Sequence, residues 1–441
     1  MRLNRPMAGR VTRVALVAIA WVVAGALAAW LLALRSEIAA VDHPGPVAAD
    51  ARLVRAGAVL ASLGSCAVCH TASGGRTFAG GRPLETPFGT LYSTNITPDP
   101  RTGIGKWSRE AFHRAMRDGV SRDGRHLYPA LPYEHFTKVS DADLDALYAF
   151  LMSRLPVDAP ARRNDLLPPL GFRPLLAGWK LLFLNRERFV PDPARSAQWN
   201  RGAYIVDGLG HCAGCHSPRN VAGAEKRGVH AFTGGLADGW KAPALDPSNP
   251  QAATWDVDAL HRYLSGGFDA RHGVAAGSMG PVSHEFADVP EADVRAVAVF
   301  IDTVMHPNGA AQSPQPALPT QVDRDARAGA AHPAGAAIFA GACAGCHEPS
   351  SPMASHGRAS LANLTGVHAG DPVNAVQAML TGIASPADGV TPLMPGFGSS
   401  FTDEQIADVL HYVRERFSEQ PAWPDLAGAA ARIRKENGKT P

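Results

Sequence analysis

The stretch Cys66-Ala67-Val68-Cys69-His70 returns as Cys212-Ala213-Gly214-Cys215-His216 and again as Cys343-Ala344-Gly345-Cys346-His347. Two thiols separated by two residues, with histidine next in the chain, have the spacing that fixes haem c. Each thiol forms a thioether to one vinyl group, and the imidazole ligates the iron from one face. Cys-x-x-Cys is also zinc-ligand spacing. The three copies, however, consume all six cysteines of the 441-residue chain. A zinc site of four thiolates would have to pair motifs more than a hundred residues apart and ignore three adjacent histidines. Three covalently bound haem c groups are therefore expected, on Cys66, Cys69 and His70, on Cys212, Cys215 and His216, and on Cys343, Cys346 and His347.

A chain of this length accommodates about three domains, one for each motif. Its formal net charge of +2 and the lack of a Lys/Arg block interleaved with aromatics exclude nucleic acid as a partner. At the N-terminus Arg2, Arg5, Arg10 and Arg13 precede an uncharged run from Val14 to Leu34, with no acidic residue before Glu37. Those 21 residues, at the rise of an α-helix, span about the thickness of a bilayer core. The flanking arginines place the N-terminus in the cytoplasm and send the rest outward. A cleaved signal peptide is the alternative, with a weak cleavage site at Ala26-Leu27-Ala28, but a secretory apolar region usually has only ~7 to 15 residues. Residues 1–40 are accordingly expected to anchor the protein in a bacterial inner membrane, with the haem domains in the periplasm.

The expected fold is mainly α: three tandem class I cytochrome c-like helical domains after an N-terminal transmembrane helix. Domain one is read as residues 51–157, domain two as 196–307 and domain three as 327–420. A helix precedes each motif, and Gly57, Gly202 and Gly335 lie in small-residue patches on those helices where another helix can approach closely. Each domain closes on an amphipathic helix: Ser140 to Leu155, Glu291 to Val304, and Thr402 to Phe417, the last with a Thr402/Gln405 capping box. Residues 158–195 form a connecting strap rich in Leu, Phe and Trp, read as packing across the haem domains, with a docking surface for a partner subunit or the bilayer interface as the alternative. Residues 308–326 read as a flexible linker and 421–441 as a polar tail.

An electron-transfer haem needs a sixth ligand, and methionine is the usual one in small c-type cytochromes. The glycines Gly119, Gly267 and Gly382 end comparable helices, and twelve residues after each stand Leu131, Met279 and Met394. Met279 and Met394 are thus the expected sixth ligands of haems two and three. Met116 and Met379 fit core filling, and Met353 follows the third motif too closely to reach across the haem. Leu131 has no ligating atom, so haem one is either five-coordinate or ligated by another residue. His126, His135, Met116 and, less plausibly, His113 stand nearby, and His135 is the preferred ligand.

The chain resembles the tri-haem cytochrome c subunits of bacterial membrane-bound dehydrogenases. The resemblance rests on Phe78-Ala79-Gly80-Gly81-Arg82-Pro83, Thr86-Pro87-Phe88-Gly89-Thr90, Ser93-Thr94-Asn95-Ile96-Thr97-Pro98, Gly103-Ile104-Gly105-Lys106-Trp107 and Asp123-Gly124-Arg125-His126-Leu127-Tyr128-Pro129-Ala130. It continues in the middle of the chain through Trp199-Asn200-Arg201-Gly202-Ala203-Tyr204 and Pro218-Arg219-Asn220. It implies a partner catalytic subunit, either a molybdopterin protein with an iron-sulfur small subunit or a quinoprotein or flavoprotein, and electron delivery to ubiquinone or a terminal oxidase. Leu131, the N-terminal anchor and Tyr133-Glu134-His135-Phe136 look closest to the branch that accompanies molybdopterin-dependent aldehyde or N-heteroaromatic dehydrogenases. No nucleotide-binding glycine fingerprint or catalytic triad pattern is present, so the expectation is an electron-transfer subunit without substrate chemistry of its own. A peroxidase-like enzyme using a five-coordinate first haem and a terminal-oxidase cytochrome subunit are the alternatives.

Overall fold

The computed structural model describes residues 15–17, 21, 34–42, 50–249, 251–309, 324–348, 350–351, 360–385 and 392–438. Its principal helices are α1 (Ala51–Leu63), α2 (Arg109–Asp118), α3 (Asp141–Met152), α4 (Leu175–Phe183), α5 (Ala197–Asp207), α6 (Val257–Gly266), α7 (Met279–Phe286), α8 (Glu291–Met305), α9 (Pro333–Ile338), α10 (Val373–Thr381), α11 (Asp403–Phe417) and α12 (Leu426–Asn437). Small antiparallel sheets fill the connections, the largest having three strands. The closing helices α3, α8 and α11 lie within a few residues of their expected bounds. Their starts are set locally. Ser140 accepts from the Asp143 N–H, and Thr402 and Gln405 form the reciprocal capping box.

Three helix crossings organise the chain, and each turns on one glycine. A Cβ added to Gly57 of α1 would lie 2.0 Å from the Ala146 carbonyl oxygen of α3. At Gly202 of α5 the distance to Ala296 O of α8 is 2.0 Å, and at Gly335 of α9 the distance to Asp408 O of α11 is 2.1 Å. Backbone-to-backbone contact of this kind is open only to glycine. The small-residue patches thus serve the close approach that the sequence suggested.

The apolar interior of the described residues forms two cores. One continuous core runs from Leu60, Leu144 and Leu147 through Val206, Leu209 and Ile205 to Val294, Val297 and Ile301, joining the first two motif-bearing segments. A second core gathers Phe339, Val376, Ile406, Leu410 and Ile433 around the third. Polar contacts join the two bodies: Lys241 pairs with Asp371 at 3.5 Å, and Asn374 exchanges two hydrogen bonds with the Lys241 backbone.

Residues of the strap contact the first two motif-bearing segments. Asp165–Leu166 adds a third strand to the hairpin Pro83–Thr86/Gly89–Tyr92. From α4, the Trp179 indole donates to the Ala222 carbonyl, and the buried Lys180 ammonium reaches Gly119 O at 2.6 Å and His126 Nδ1 at 3.0 Å. The polar tail expected at 421–441, with only weak helical character in the sequence, carries α12. Its Leu426, Ala430 and Ile433 enter the second core, and Arg434 pairs with Asp403. Most of the linker read at 308–326 lies outside the described residues, as does most of the run from Val14 to Leu34 read as the anchor. Among the described residues no helix is long and apolar enough to cross a membrane.

Gly57→Ala and Gly202→Ala should each lower the thermal midpoint of the haem-loaded protein, costing about 1–3 kcal/mol by overpacking. Intrinsic helix propensity favours alanine over glycine by about 1 kcal/mol, so the crossing must outweigh that preference. Gly178→Ala, where the added Cβ meets nothing within 4 Å, should hold or raise the midpoint. A rise at Gly202→Ala would contradict the close crossing.

Candidate haem centres

Each motif forms a short helical turn: Cys66–His70, Ala213–His216 and Ala344–His347. One turn brings both sulfurs and the imidazole to one side of the backbone. All six thiols are free of disulfides. Burial, and then the neighbouring sulfur of the same motif, pushes the Cys66 and Cys212 thiols up to about 12 and Cys343 to about 11. An uncharged thioether suits such surroundings.

The imidazoles of His70 and His216 are held alike. His70 Nδ1 lies 2.7 Å from Thr94 O, and His216 Nδ1 lies 2.7 Å from Pro243 O. A carbonyl only accepts, so Nδ1 carries the proton and Nε2 keeps its lone pair, with no hydrogen-bond partner among the described residues. Burial lowers both pKa values against the opposing effect of that carbonyl bond, which keeps the rings neutral. A neutral imidazole oriented through its other nitrogen is what iron ligation requires. The residues present therefore fit haem c.

The surrounding loops repeat the same construction. His70 O accepts from the Gly80 N–H and His216 O from the Gly234 N–H, at 2.7 and 2.8 Å. Phe78 and Phe232 are both buried in left-handed conformation, with φ of 65° and 62°. Their N–H groups are satisfied by Thr71 Oγ1 and Ser217 Oγ. Sequence reading took Phe78 only as part of a family string and passed over Phe232, because nothing in an isolated Phe announces a positive φ. The available signal was the string Phe-x-Gly-Gly, which opens at both Phe78 and Phe232.

The sixth-ligand positions fall in unlike surroundings. Met279 opens α7 and Met394 ends the short strand Pro392–Met394, both half-buried. The preceding Gly277 has φ of 56° and lies against Trp240, and Gly382 packs on the Met394 backbone, where a Cβ would come within 2.5 Å of its oxygen. Leu131 packs against the first core. Met116 and Met379 are buried in the two cores, as core filler should be. His113 pairs with Asp145 at 3.0 Å, and Met353 lies outside the described residues.

His135 sits between the first two motif-bearing segments. Its Nδ1 is 3.1 Å from Asp207 O and its Nε2 is 2.8 Å from Glu225 Oε2, with both side chains almost fully buried. Ligation of iron would take one of these nitrogens from its partner. Glu134, His135 and Glu225 offer donor atoms within 4.8 Å of one another. Arg227, 3.6 Å from Glu134, supplies part of the compensating charge. His211 stands beside the group, its ring 6.3 Å from that of His135, and burial, then His135, lowers it to about 4. A second tie spans the same boundary: Arg82 donates to Val68 O at 2.9 Å and to Asp238 at 3.1 Å, and Asp238 accepts from Ser278, next to Met279.

Residues 54–154 match the family described as Cytochrome c, and residues 330–413 the family described as Cytochrome C oxidase, cbb3-type, subunit III. A nicotinate dehydrogenase subunit of Pseudomonas putida is 49% identical over 407 residues, which cover 92% of this chain and 34% of that protein. The chain thus spans about a third of that relative's length. The gluconate 2-dehydrogenase cytochrome c subunit of Pantoea cypripedii is 35% identical over 405 residues, covering 88% of this chain and 91% of that one. The fructose dehydrogenase cytochrome subunit of Gluconobacter japonicus is 32% identical over 415 residues, covering 89% and 85%.

Burial raises the Glu225 carboxyl, but the His135 hydrogen bond and charge prevail and hold it below the ordinary carboxylate range. A depressed acid stabilises the folded state above its unfolded pKa, and that contribution is lost as pH falls through the folded value. Glu225→Gln should cost about 3 kcal/mol at pH 7 by breaking a buried pair and should flatten the acid limb of the stability curve. Denaturant titrations from pH 7 to pH 3 check this; equal acid limbs in both proteins would contradict it.

Proposed function

We propose, because this chain belongs to the family of cytochrome c subunits of dehydrogenases, that it is the three-haem electron carrier of a membrane-bound bacterial dehydrogenase complex. The observation that carries the reading is the matched lock on His70 and His216, each imidazole fixed through Nδ1 to a backbone carbonyl with Nε2 left for iron. Three motifs and three glycine-centred crossings support one haem-bearing unit per motif. Haem c supplies reversible one-electron chemistry when bound. The chain's part is to tether it through Cys66 and Cys69, Cys212 and Cys215, and Cys343 and Cys346, and to hold iron through His70, His216 and His347. Met279 and Met394 would also hold iron in the second and third units.

The proposed donor is a catalytic subunit of molybdopterin type acting on an N-heteroaromatic substrate or an aldehyde. The higher identity to the nicotinate dehydrogenase subunit than to the gluconate and fructose dehydrogenase subunits supports this branch. Ubiquinone or a terminal oxidase is the proposed acceptor. The arginine-flanked run from Val14 to Leu34 supports anchorage in the inner membrane with the haem units in the periplasm.

A potentiometric titration with optical readout tests the assignment. Met279→Ala and Met394→Ala should each lower the potential of one haem, since an axial methionine raises it. An unchanged spectrum in Met394→Ala would pass the role to Met379 or Met353. For haem one, His135→Ala separates two roles. Conversion of a low-potential component to high spin would make His135 its ligand. Unchanged spin state with loss of stability would leave it to the Glu225 pair.

A further inference from the structure

The strap helix α4 has two unlike faces. Lys180 is 3% exposed and Trp179 stacks edge-on against Tyr133, so one side is committed to the haem-bearing body. On the other, Leu175, Leu181 and Leu182 are 49%, 85% and 74% exposed and share a helical face with Gly178, with no charged residue among them. A helix face turned to water normally carries charge. This one is apolar throughout.

The chain that follows the N-terminal apolar run ends up beside this helix. Ser36 O accepts from Arg114 at 2.8 Å, Glu37 pairs with Arg122 at 2.6 Å, and the Ile38 N–H donates to Arg122 O. The Arg35 carbonyl lies 2.1 Å from where a Gly124 Cβ would stand. These contacts clasp the turn 119–126 from one side. Lys180 of α4 clasps the same turn through Gly119 O and His126. The run that ends at Leu34 therefore terminates against the element that seats α4.

A basic cleft adjoins the helix. Arg114, Arg117, Arg186 and Arg188 line it, with Glu110 and Asp118 as the opposing carboxylates, while Asp141 bridges Arg117 and Arg188. Four guanidiniums thus face three carboxylates. The Nε–H groups of Arg114 and Arg117 are buried with no acceptor among the described residues. Arg114, Arg117 and Arg188 also donate to backbone carbonyls, and the guanidinium left over from the carboxylates suits phosphate oxygens.

We propose that α4 is a membrane-surface helix: Leu175, Leu181 and Leu182 enter the interface of the bilayer that the N-terminal run spans, and the arginine cleft receives the phosphates of anionic phospholipid. An apolar helix face flanked by basic residues is the pattern of interfacial helices. The inference rests on the anchoring part of the function proposed above, and its test reads the two separately.

The experiment uses the full, haem-loaded chain in vesicles of phosphatidylglycerol and phosphatidylethanolamine, with spin labels placed one at a time at Leu182→Cys, Leu155→Cys and Trp21→Cys. The Leu182 label should become several-fold less accessible to a water-soluble nickel chelate while remaining accessible to oxygen. The Leu155 label, 75% exposed at the end of the first unit, should stay in water. Arg186→Glu combined with Arg188→Glu should restore chelate access at position 182. If the Trp21 label is in the bilayer while the Leu182 label stays fully accessible to the chelate, the surface-helix proposal fails and the anchor stands. A Trp21 label in water removes both. Shielding of position 182 from chelate and oxygen alike, seen only with the dehydrogenase catalytic subunit bound, assigns the face to a protein partner and overturns the proposal.

Discussion

Backbone contact between two helices, at a residue without a side chain, is the constraint on which the rest of this structure depends. Gly57, Gly202 and Gly335 each let an entering helix lie directly on the carbonyl row of its closing helix. The entering helix leads within a few residues to the first cysteine of its motif, so the crossing fixes where the thiols start. A Cβ would push the helices apart and displace the motif with them. The same crossing brings Leu144 and Leu147, or Val294 and Val297, onto the entering helix to form the interior. In these units the position of a cofactor tether and the nucleation of the core are set by one contact.

The second layer of control is polar. A histidine that is to hold iron must present one nitrogen and secure the other, and backbone carbonyls at Thr94 and Pro243 do this for two of the three rings. Their loops are shaped by buried phenylalanines in left-handed conformation at Phe78 and Phe232. Between the first two units the chain places charge where a purely structural interface would use only apolar side chains: His135 with Glu225, and Arg82 with Asp238. The first of these is buried and the second partly exposed, and a buried pair fixes register more than it adds stability. They hold the motifs at Cys66 and Cys212 against a common interior, whereas the third unit keeps its own core and meets the others through exposed polar contacts such as Lys241 with Asp371.

Local chemistry was legible in the sequence, and long-range pairing was not. The motifs, the capping box at Thr402, the closing helices and the helix-ending glycines Gly119 and Gly267 in left-handed conformation are all written within a few residues of themselves. The surroundings of His135 depend on Glu225, ninety residues away, and no local pattern reveals that partner. The two-residue strand Asp165–Leu166 is too short to carry an alternation signal. The last helix was hidden by composition: Leu426, Ala430 and Ile433 recur at helical spacing, but alanines and basic residues dilute the apolar face. The shared core of the first two units was also unreadable, because the same apolar faces would serve two separate domains equally well.

Three thioether-bound haems, held by three equivalent motifs, are what every proposed electron-transfer role of this chain requires. Intact-mass measurement of the purified, denatured chain, followed by peptide mapping of the motif cysteines, tests that most directly. The expected result is a covalent increment of three haems, one on each peptide bearing Cys66 and Cys69, Cys212 and Cys215, or Cys343 and Cys346. An increment of two or fewer, with an unmodified cysteine pair in protein matured by a competent haem-attachment system, would contradict it.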